Sequence, residues 1–178
     1  MKNNETISNP AEFTERFINQ TNSPVFLTGK AGTGKTTLLR KIVETTHKNT
    51  VIVAPTGIAA LNAGGVTIHS FFQLPFSSFI PEFVSEGLVN GNTKFESKET
   101  LKRHFHFNKT RQNLIRSVEL LIIDEVSMLR ADLLDAIDWT LRNVRRNNDP
   151  FGGVQVLFIG DLLQLPPVIK PEEWSLLK

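Results

Sequence analysis

Nine consecutive residues, Gly29-Lys30-Ala31-Gly32-Thr33-Gly34-Lys35-Thr36-Thr37, constrain this chain more than any other stretch of it. Glycines at 29, 32 and 34 remove Cβ atoms from the backbone, so it can curl closely round a bulky anion. The segment follows Val25-Phe26-Leu27, a short apolar run that reads as a buried strand. It leads into Thr36 to Glu44, where Leu38, Leu39, Ile42 and Val43 share one helical face. Between a strand and a helix, Gly-x4-Gly-Lys-Thr is a phosphate cradle: turn amides point at the anion and the helix dipole adds a favourable field. Gly29, Ala31, Gly32, Thr33, Gly34, Lys35, Thr36 and Thr37 are the expected ATP contacts, Lys35 reaching the β- and γ-phosphates and Thr36 ligating Mg²⁺. A glycine turn with a surface lysine, the bland alternative, leaves the flanking strand and helix unexplained.

Such a cradle needs a carboxylate at the end of a second strand to hold the metal, and Leu120-Leu121-Ile122-Ile123-Asp124-Glu125 supplies one. Asp124 is expected to orient Mg²⁺ and Glu125 to position and deprotonate the attacking water. Neighbouring side chains on a strand point to opposite faces, so both carboxylates serve one site only if the strand ends there. An acidic helix start is the competing local reading, and the cradle argues against it.

The intervening chain alternates. Asn9-Pro10-Ala11-Glu12 announces a helix, with a capping Asn and a Pro at its first position. Val51 to Ala54 reads as a strand, and Ile58 to Ala63 as a short helix stopped by Gly64-Gly65. A helix through Leu133, Leu134, Ile137, Leu141 and Val144 precedes a last strand, Val154 to Ile159. Apolar strands separated by helices predict a mostly parallel sheet covered on both faces, an α/β fold. Residues 75–117 break this rhythm with Pro75, Pro81 and seven basic residues, among them Lys102, Arg103, Arg111 and Arg116, and read as a small insertion in a single domain spanning 1–178. No apolar run is long enough for a membrane span, so a cytoplasmic protein is expected. The chain has no cysteine, which excludes disulfides and Cys-ligated metals. A net charge of +2 decides nothing about a polyanionic partner. His104-Phe105-His106 is too poor in further ligands to read as a metal site.

The guanine-reading Asn-Lys-x-Asp of GTPases has only the echo Asn108-Lys109-Thr110-Arg111, without its carboxylate. Ala54-Pro55-Thr56-Gly57-Ile58-Ala59-Ala60, Thr67-Ile68-His69-Ser70-Phe71-Phe72 and Gly160-Asp161-Leu162-Leu163-Gln164-Leu165-Pro166-Pro167-Val168 resemble helicase motifs in order and spacing. Together with the cradle and the acidic strand end they resemble the Pif-one family, 5′-to-3′ DNA helicases of superfamily one, subfamily B. The resemblance runs from about Val25 to Val168 and implies a RecA-like P-loop ATPase domain that moves on single-stranded DNA. It implies that Gln164 senses the γ-phosphate, and that Pro55, Thr56, Thr67, His69 and Phe72 line the single-strand path, where hydroxyls hold phosphates and rings meet bases. On chemistry alone an aromatic pair packs, so of Phe71 and Phe72 one is expected in the core and one against DNA. In place of the insertion the family carries a wedge-like element near the duplex junction, whose basic side chains would meet phosphate unless they form a solvated helix face.

Two departures qualify the resemblance. No Gln stands where this superfamily reads adenine; Glu12 lies nearest that position and Gln20 is a poor candidate, so preference for ATP over other nucleotides is not specified. The second RecA-like domain, whose arginines complete the ATP site in the family, is not among these 178 residues. The chain, expected to act as a monomer, should therefore bind nucleotide weakly, hydrolyse it slowly and not unwind alone. A RecD- or relaxase-type superfamily-one helicase, and a nucleotide-switched binding module without catalysis, remain the alternatives; a pure switch has no use for a general base at Glu125.

Overall fold

A computed structural model describes residues 10–80, 89–90, 93–104, 107–169 and 173. α1 (Pro10–Gln20) starts on the expected proline, its cap Asn9 lying outside the described residues. There follow β1 (Val25–Thr28), α2 (Lys35–Thr45), β2 (Thr50–Ala54), α3 (Gly57–Ala63), β3 (Val66–Thr67) and α4 (Ile68–Phe72). The segment of weak periodicity holds β4 (Ser78–Phe79), β5 (Val89–Asn90), β6 (Thr93–Glu96), α5 (Lys98–His104) and α6 (Lys109–Ser117). β7 (Leu120–Ile123), a 3-10 turn at Val126–Met128, α7 (Ala131–Arg145), a tight turn at Pro150–Gly153 and β8 (Gln155–Gly160) complete the order. Among the described residues no helix is long and apolar enough to cross a membrane.

The main sheet is parallel throughout, in the order β1-β8-β7-β2-β3, and β4, β6 and β5 form a separate small sheet. Central β7 explains why its four residues are all apolar, for it is covered on both faces. Leu121 and Ile123 join one core cluster, with Ile68, Phe71 and Phe72 of α4, Ile115 of α6 and Ile137, Leu141 and Val144 of α7. Leu120 and Ile122 point the other way, onto Ile18 of α1, Leu39 and Ile42 of α2 and Ala63 of α3. The predicted α/β fold with helices on both faces is what forms. Gly64 ends α3 in the left-handed region at φ 73°, while a Cβ on Gly65 would lie 2.4 Å from the carbonyl oxygen of Ile52. The pair therefore does two jobs, stopping the helix and letting the chain return flat against β2.

Within residues 75–117 three of the basic side chains reach groups elsewhere in the fold. Arg111 donates from Nη2 to the Ser70 and Phe71 carbonyls at 2.6 and 2.5 Å, with its guanidinium over the Phe71 ring. Arg116 Nε donates to the Val144 carbonyl, and Lys102 lies over Trp139. These contacts tie α6 to α4 and α7, and α5 to α7; Lys102 and Arg116 remain exposed. Phe105 and His106 of the histidine segment lie outside the described residues.

A buried polar network ties the small sheet to the main one. Arg130 grips both oxygens of Asp132 at 2.9 and 3.0 Å, and donates to Glu173 Oε2 at 2.8 Å and to Ser78 Oγ at 2.9 Å. The Ser78 hydroxyl donates to Glu173 Oε1, and the Phe79 amide donates to Asp132 Oδ2. Asp132 and Glu173 are 8% and 4% exposed, and Arg130 is the cation paired with both. Arg130→Ala should therefore lower stability by about 3 kcal/mol, since it strands two buried carboxylates; urea unfolding reads the loss, and a variant as stable as the parent would contradict it.

Candidate functional site

The site is assembled at the carboxyl ends of three neighbouring strands. β1 delivers the cradle, β7 delivers Asp124 and Glu125, and β8 lies between them and ends in Gly160-Asp161. In a parallel sheet these ends share one edge, the position at which α/β folds collect ligands. A cleft of about 380 Å³ opens there, lined by Pro10, Ala11, Leu27, Thr28, Gly29, Thr33, Gly34, Lys35 and Leu38.

Gly32 and Gly34 take positive φ, 75° and 87°, and α2 starts immediately after Gly34. The first amides of a helix have no partner within it, and Gly34 has no side chain to offer one. Thr33 closes the turn by donating its hydroxyl to the Lys30 carbonyl at 2.8 Å. Lys35 reaches back over the turn, its ammonium 2.5 Å from the Gly29 carbonyl and 3.0 Å from that of Lys30. The ammonium is thus held above the cradle by carbonyls that a phosphate oxygen can replace. Ala31, Thr36 and Thr37 are exposed along the same loop and first helical turn.

β7 stops at Ile123, as the two-carboxylate argument requires. Asp124 follows, buried, and accepts the Glu125 amide at Oδ1; Glu125 adopts φ 53° and ψ 45°. A non-glycine residue in the left-handed region carries strain of order 1 kcal/mol. Here the strain turns Glu125 away from the alternation of a strand. Gly160 makes room for this turn, because a Cβ there would lie 2.8 Å from Val126 Cγ1. Burial pushes the Asp124 carboxyl above its ordinary range; the Glu125 amide bond opposes the rise, the Glu125 charge adds to it, and the Lys35 charge lowers it. The cradle and the acidic pair thus lie at the same edge of the sheet. Their chemistry, hard oxygens from Asp124 and Thr36 beside a cation-lined phosphate cradle, fits a magnesium–triphosphate complex.

Gln164, exposed, lies beyond the end of β8, where its side-chain amide donates to Asp161 Oδ2 at 3.3 Å and closes the turn. Around it Leu162, Leu163, Leu165 and Val168 are 65%, 92%, 74% and 85% exposed.

The second group of expected residues follows β2 and β3, whose paired ends place Ala54 beside Thr67. Thr56 caps α3 by accepting the Ala59 amide, and Thr67 caps α4 by accepting the Ser70 amide. Both hydroxyls retain a proton to donate. Pro55 and Thr56 are half-buried, and so is His69, whose imidazole burial pushes below its usual pKa. Phe72 is the correction: it is 0% exposed, and Phe71, edge-on to it, only 3%. Both rings belong to the core, so neither meets a base. The ring that is exposed is Phe76, at 89%, stacked on His69 with centroids 4.5 Å apart and planes 18° from parallel. Nothing in the periodicity around Pro75 marked it.

A family model described as PIF1-like helicase matches residues 3–84 and 90–175. The ATP-dependent DNA helicase PIF1 of Saccharomyces cerevisiae (strain YJM789) is 38% identical over 151 residues, which cover 82% of this chain and 16% of that protein. The structure of Bacteroides sp Pif1 in complex with ADP-AlF4 is similar with a TM-score of 0.79 at 44% identity, over 94% of this chain and 35% of that one. Bacteroides Pif1 bound to ssDNA gives 0.77 at 44% identity, over 96% and 35%. The chain thus spans about a sixth of the yeast protein and about a third of the two solved chains.

Because burial raises the Asp124 pKa, its ionised form costs more in the folded protein than in the unfolded chain. That cost is present above the folded pKa and disappears as pH falls through it. Asp124→Asn, which keeps an acceptor for the Glu125 amide, should raise Tm by on the order of 2 °C at pH 8 without nucleotide or divalent cation. The gain should vanish at acid pH. Thermal melts at both pH values check this, and a lower Tm at pH 8 would refute the burial account.

Proposed function

The chain belongs to the PIF1-like helicase family, and on that premise we propose that it is the RecA-like, ATP-hydrolysing motor unit of a 5′-to-3′ DNA helicase. In this reading residues 75–117 are an insertion within the one unit. The observation that carries the proposal is the parallel order β1-β8-β7, which brings the loop of Lys35 and the Asp124–Glu125 pair to one edge of the sheet.

The triphosphate lies in the cradle, its β- and γ-oxygens taking the place of the carbonyls that hold Lys35. Thr36 and Asp124 would hold Mg²⁺, which would neutralise charge developing on the phosphates. Glu125 positions the attacking water and takes its proton. Its left-handed backbone takes it out of the strand's alternation, which is what two neighbouring carboxylates serving one site require. Gln164, at the tip of the β8 turn, exchanges its bond to Asp161 for the γ-phosphate and so reports nucleotide state to the segments beside it. The exposed leucines around it form the face on which a second RecA-like domain closes to complete the site.

DNA runs along the neighbouring edge. Thr56 and Thr67 donate their free hydroxyl protons to successive phosphates, with Pro55 and His69 beside them; Phe72 has no part in the path. Hydroxyl contacts to the backbone carry no base sequence, as suits a motor that must pass over any sequence.

Lys35→Ala should weaken binding of a fluorescent ATP analogue at least ~10-fold, the loss of a charged phosphate contact. Glu125→Gln should bind that analogue within a factor of ~3 of the parent, while phosphate release falls ~100-fold or more, the usual share of a general base. Parental turnover in Glu125→Gln would remove Glu125 from its role, and analogue binding untouched in Lys35→Ala would remove the cradle.

A further inference from the structure

From the stacked, outward-facing ring of Phe76 we infer a nucleobase platform: one base of the single strand stacks on the open face of Phe76, whose inner face rests on the His69 imidazole. The inference rests on the DNA reading above and adds to it a residue that contacts base rather than backbone.

A large apolar ring left 89% exposed is costly unless something covers it, and the surrounding chain spends order on holding it there. On one side, Gln73 turns through φ 51°, the Leu74 amide donates to the His69 carbonyl at 3.2 Å, and the Leu74 side chain is buried. On the other, Ser78 and Phe79 are clamped by Arg130, Asp132 and Glu173. The loop between these anchors is short, so the ring is presented in one place rather than left to wander. Its backing is equally fixed, since Arg111 holds the carbonyl end of the helix that carries His69. Thr67, two residues before His69, is positioned to take the adjoining phosphate. A pinned ring with one open face beside a phosphate donor has the chemistry of a base-stacking platform, which accepts any base because every base has a π-face.

The test measures binding of a fluorescein-labelled oligo-dT and of an abasic oligonucleotide of equal length, by anisotropy, in the presence of Mg²⁺ and a non-hydrolysable ATP analogue. Phe76→Ala should weaken oligo-dT binding about 5- to 100-fold, the worth of one lost stack, and leave abasic binding unchanged within ~2-fold. Phe76→Trp should bind oligo-dT within ~3-fold of the parent. Since Phe76 buries almost nothing, Tm should be the same in all three proteins to within about 1 °C, so a loss of binding is not a loss of fold. Unchanged oligo-dT binding in Phe76→Ala, or equal weakening for both oligonucleotides, overturns the platform while leaving the DNA reading in place. If the unaltered chain binds neither oligonucleotide, the DNA reading itself is overturned and the platform falls with it.

Discussion

β8 pairs with β1 on one side and β7 on the other, both in parallel, with Thr28 opposite Gly160 and Ile123 opposite Phe158. That register brings the phosphate cradle, the acidic pair and the Asp161–Gln164 turn to one edge, although they begin 29, 124 and 161 residues into the chain. No local preference does this. Each strand is short, so the alignment rests on the two core clusters that grip alternate residues of β7, and a one-residue slip would exchange Leu120 and Ile122 with Leu121 and Ile123 between helical layers. The electrostatics follow from the register: Asp124 is shielded from water by the same burial that anchors its strand, and Lys35 is brought near enough to offset part of the cost.

Three of the positive-φ residues lie at this edge, while Arg146, Phe151, Gly152 and Gly153 shape the turns that lead into β8. Gly32, Gly34 and Glu125 have positive φ, and Gly160 meets the turn of Val126 with no room for a side chain. Elsewhere the described strands and helices keep their expected periodicity. Strain at one edge of a regular sheet is the arrangement expected where backbone must wrap a ligand rather than pack against its neighbours. The short helices α3 and α4 belong to the same edge. Both begin on a threonine whose side chain is already used as a cap, so its hydroxyl oxygen is oriented before any ligand arrives.

What could be read from the sequence was local in origin. The cradle carries its own glycines, the acidic strand end its own four apolar residues, and Gly64-Gly65 its own stop signal; each formed where the pattern placed it. What could not be read depended on contacts distant in the chain. α4 has five residues, too few for a 3.6-residue period to say which of Phe71 and Phe72 faces inward, and both do. Arg111 and Arg116 looked like surface charge because nothing in their neighbourhood shows that the carbonyls of Ser70, Phe71 and Val144 await them across the fold. Phe76 had the opposite fault, an aromatic residue in a proline-flanked stretch with no periodicity to call it exposed. Its significance appears only when His69, seven residues earlier, is found stacked beneath it.

The inward use of charge in residues 75–117 bears on what this segment contributes. A surface meant to attract phosphate at long range would keep its guanidinium groups free, whereas here Arg111 and Arg116 are engaged with backbone carbonyls and Lys102 with an indole. Their effect is mechanical. Arg111 fixes the far end of α4, and Arg130 with Asp132 fixes β4, so the loop carrying Phe76 is bounded on both sides by charge-assisted hydrogen bonds. Arg130 also follows directly on the 3-10 turn that begins after Glu125. A shift of that turn on nucleotide binding would therefore reach the anchor of the Phe76 loop through one short, hydrogen-bonded connection, with no need for the sheet to deform. Four residues of chain separate Glu125 from Arg130, whose guanidinium clamps Ser78, and one separates Ser78 from Phe76. On this geometry Arg111 and Arg130 hold the two ends of the Phe76 loop in fixed relation to the acidic end of β7.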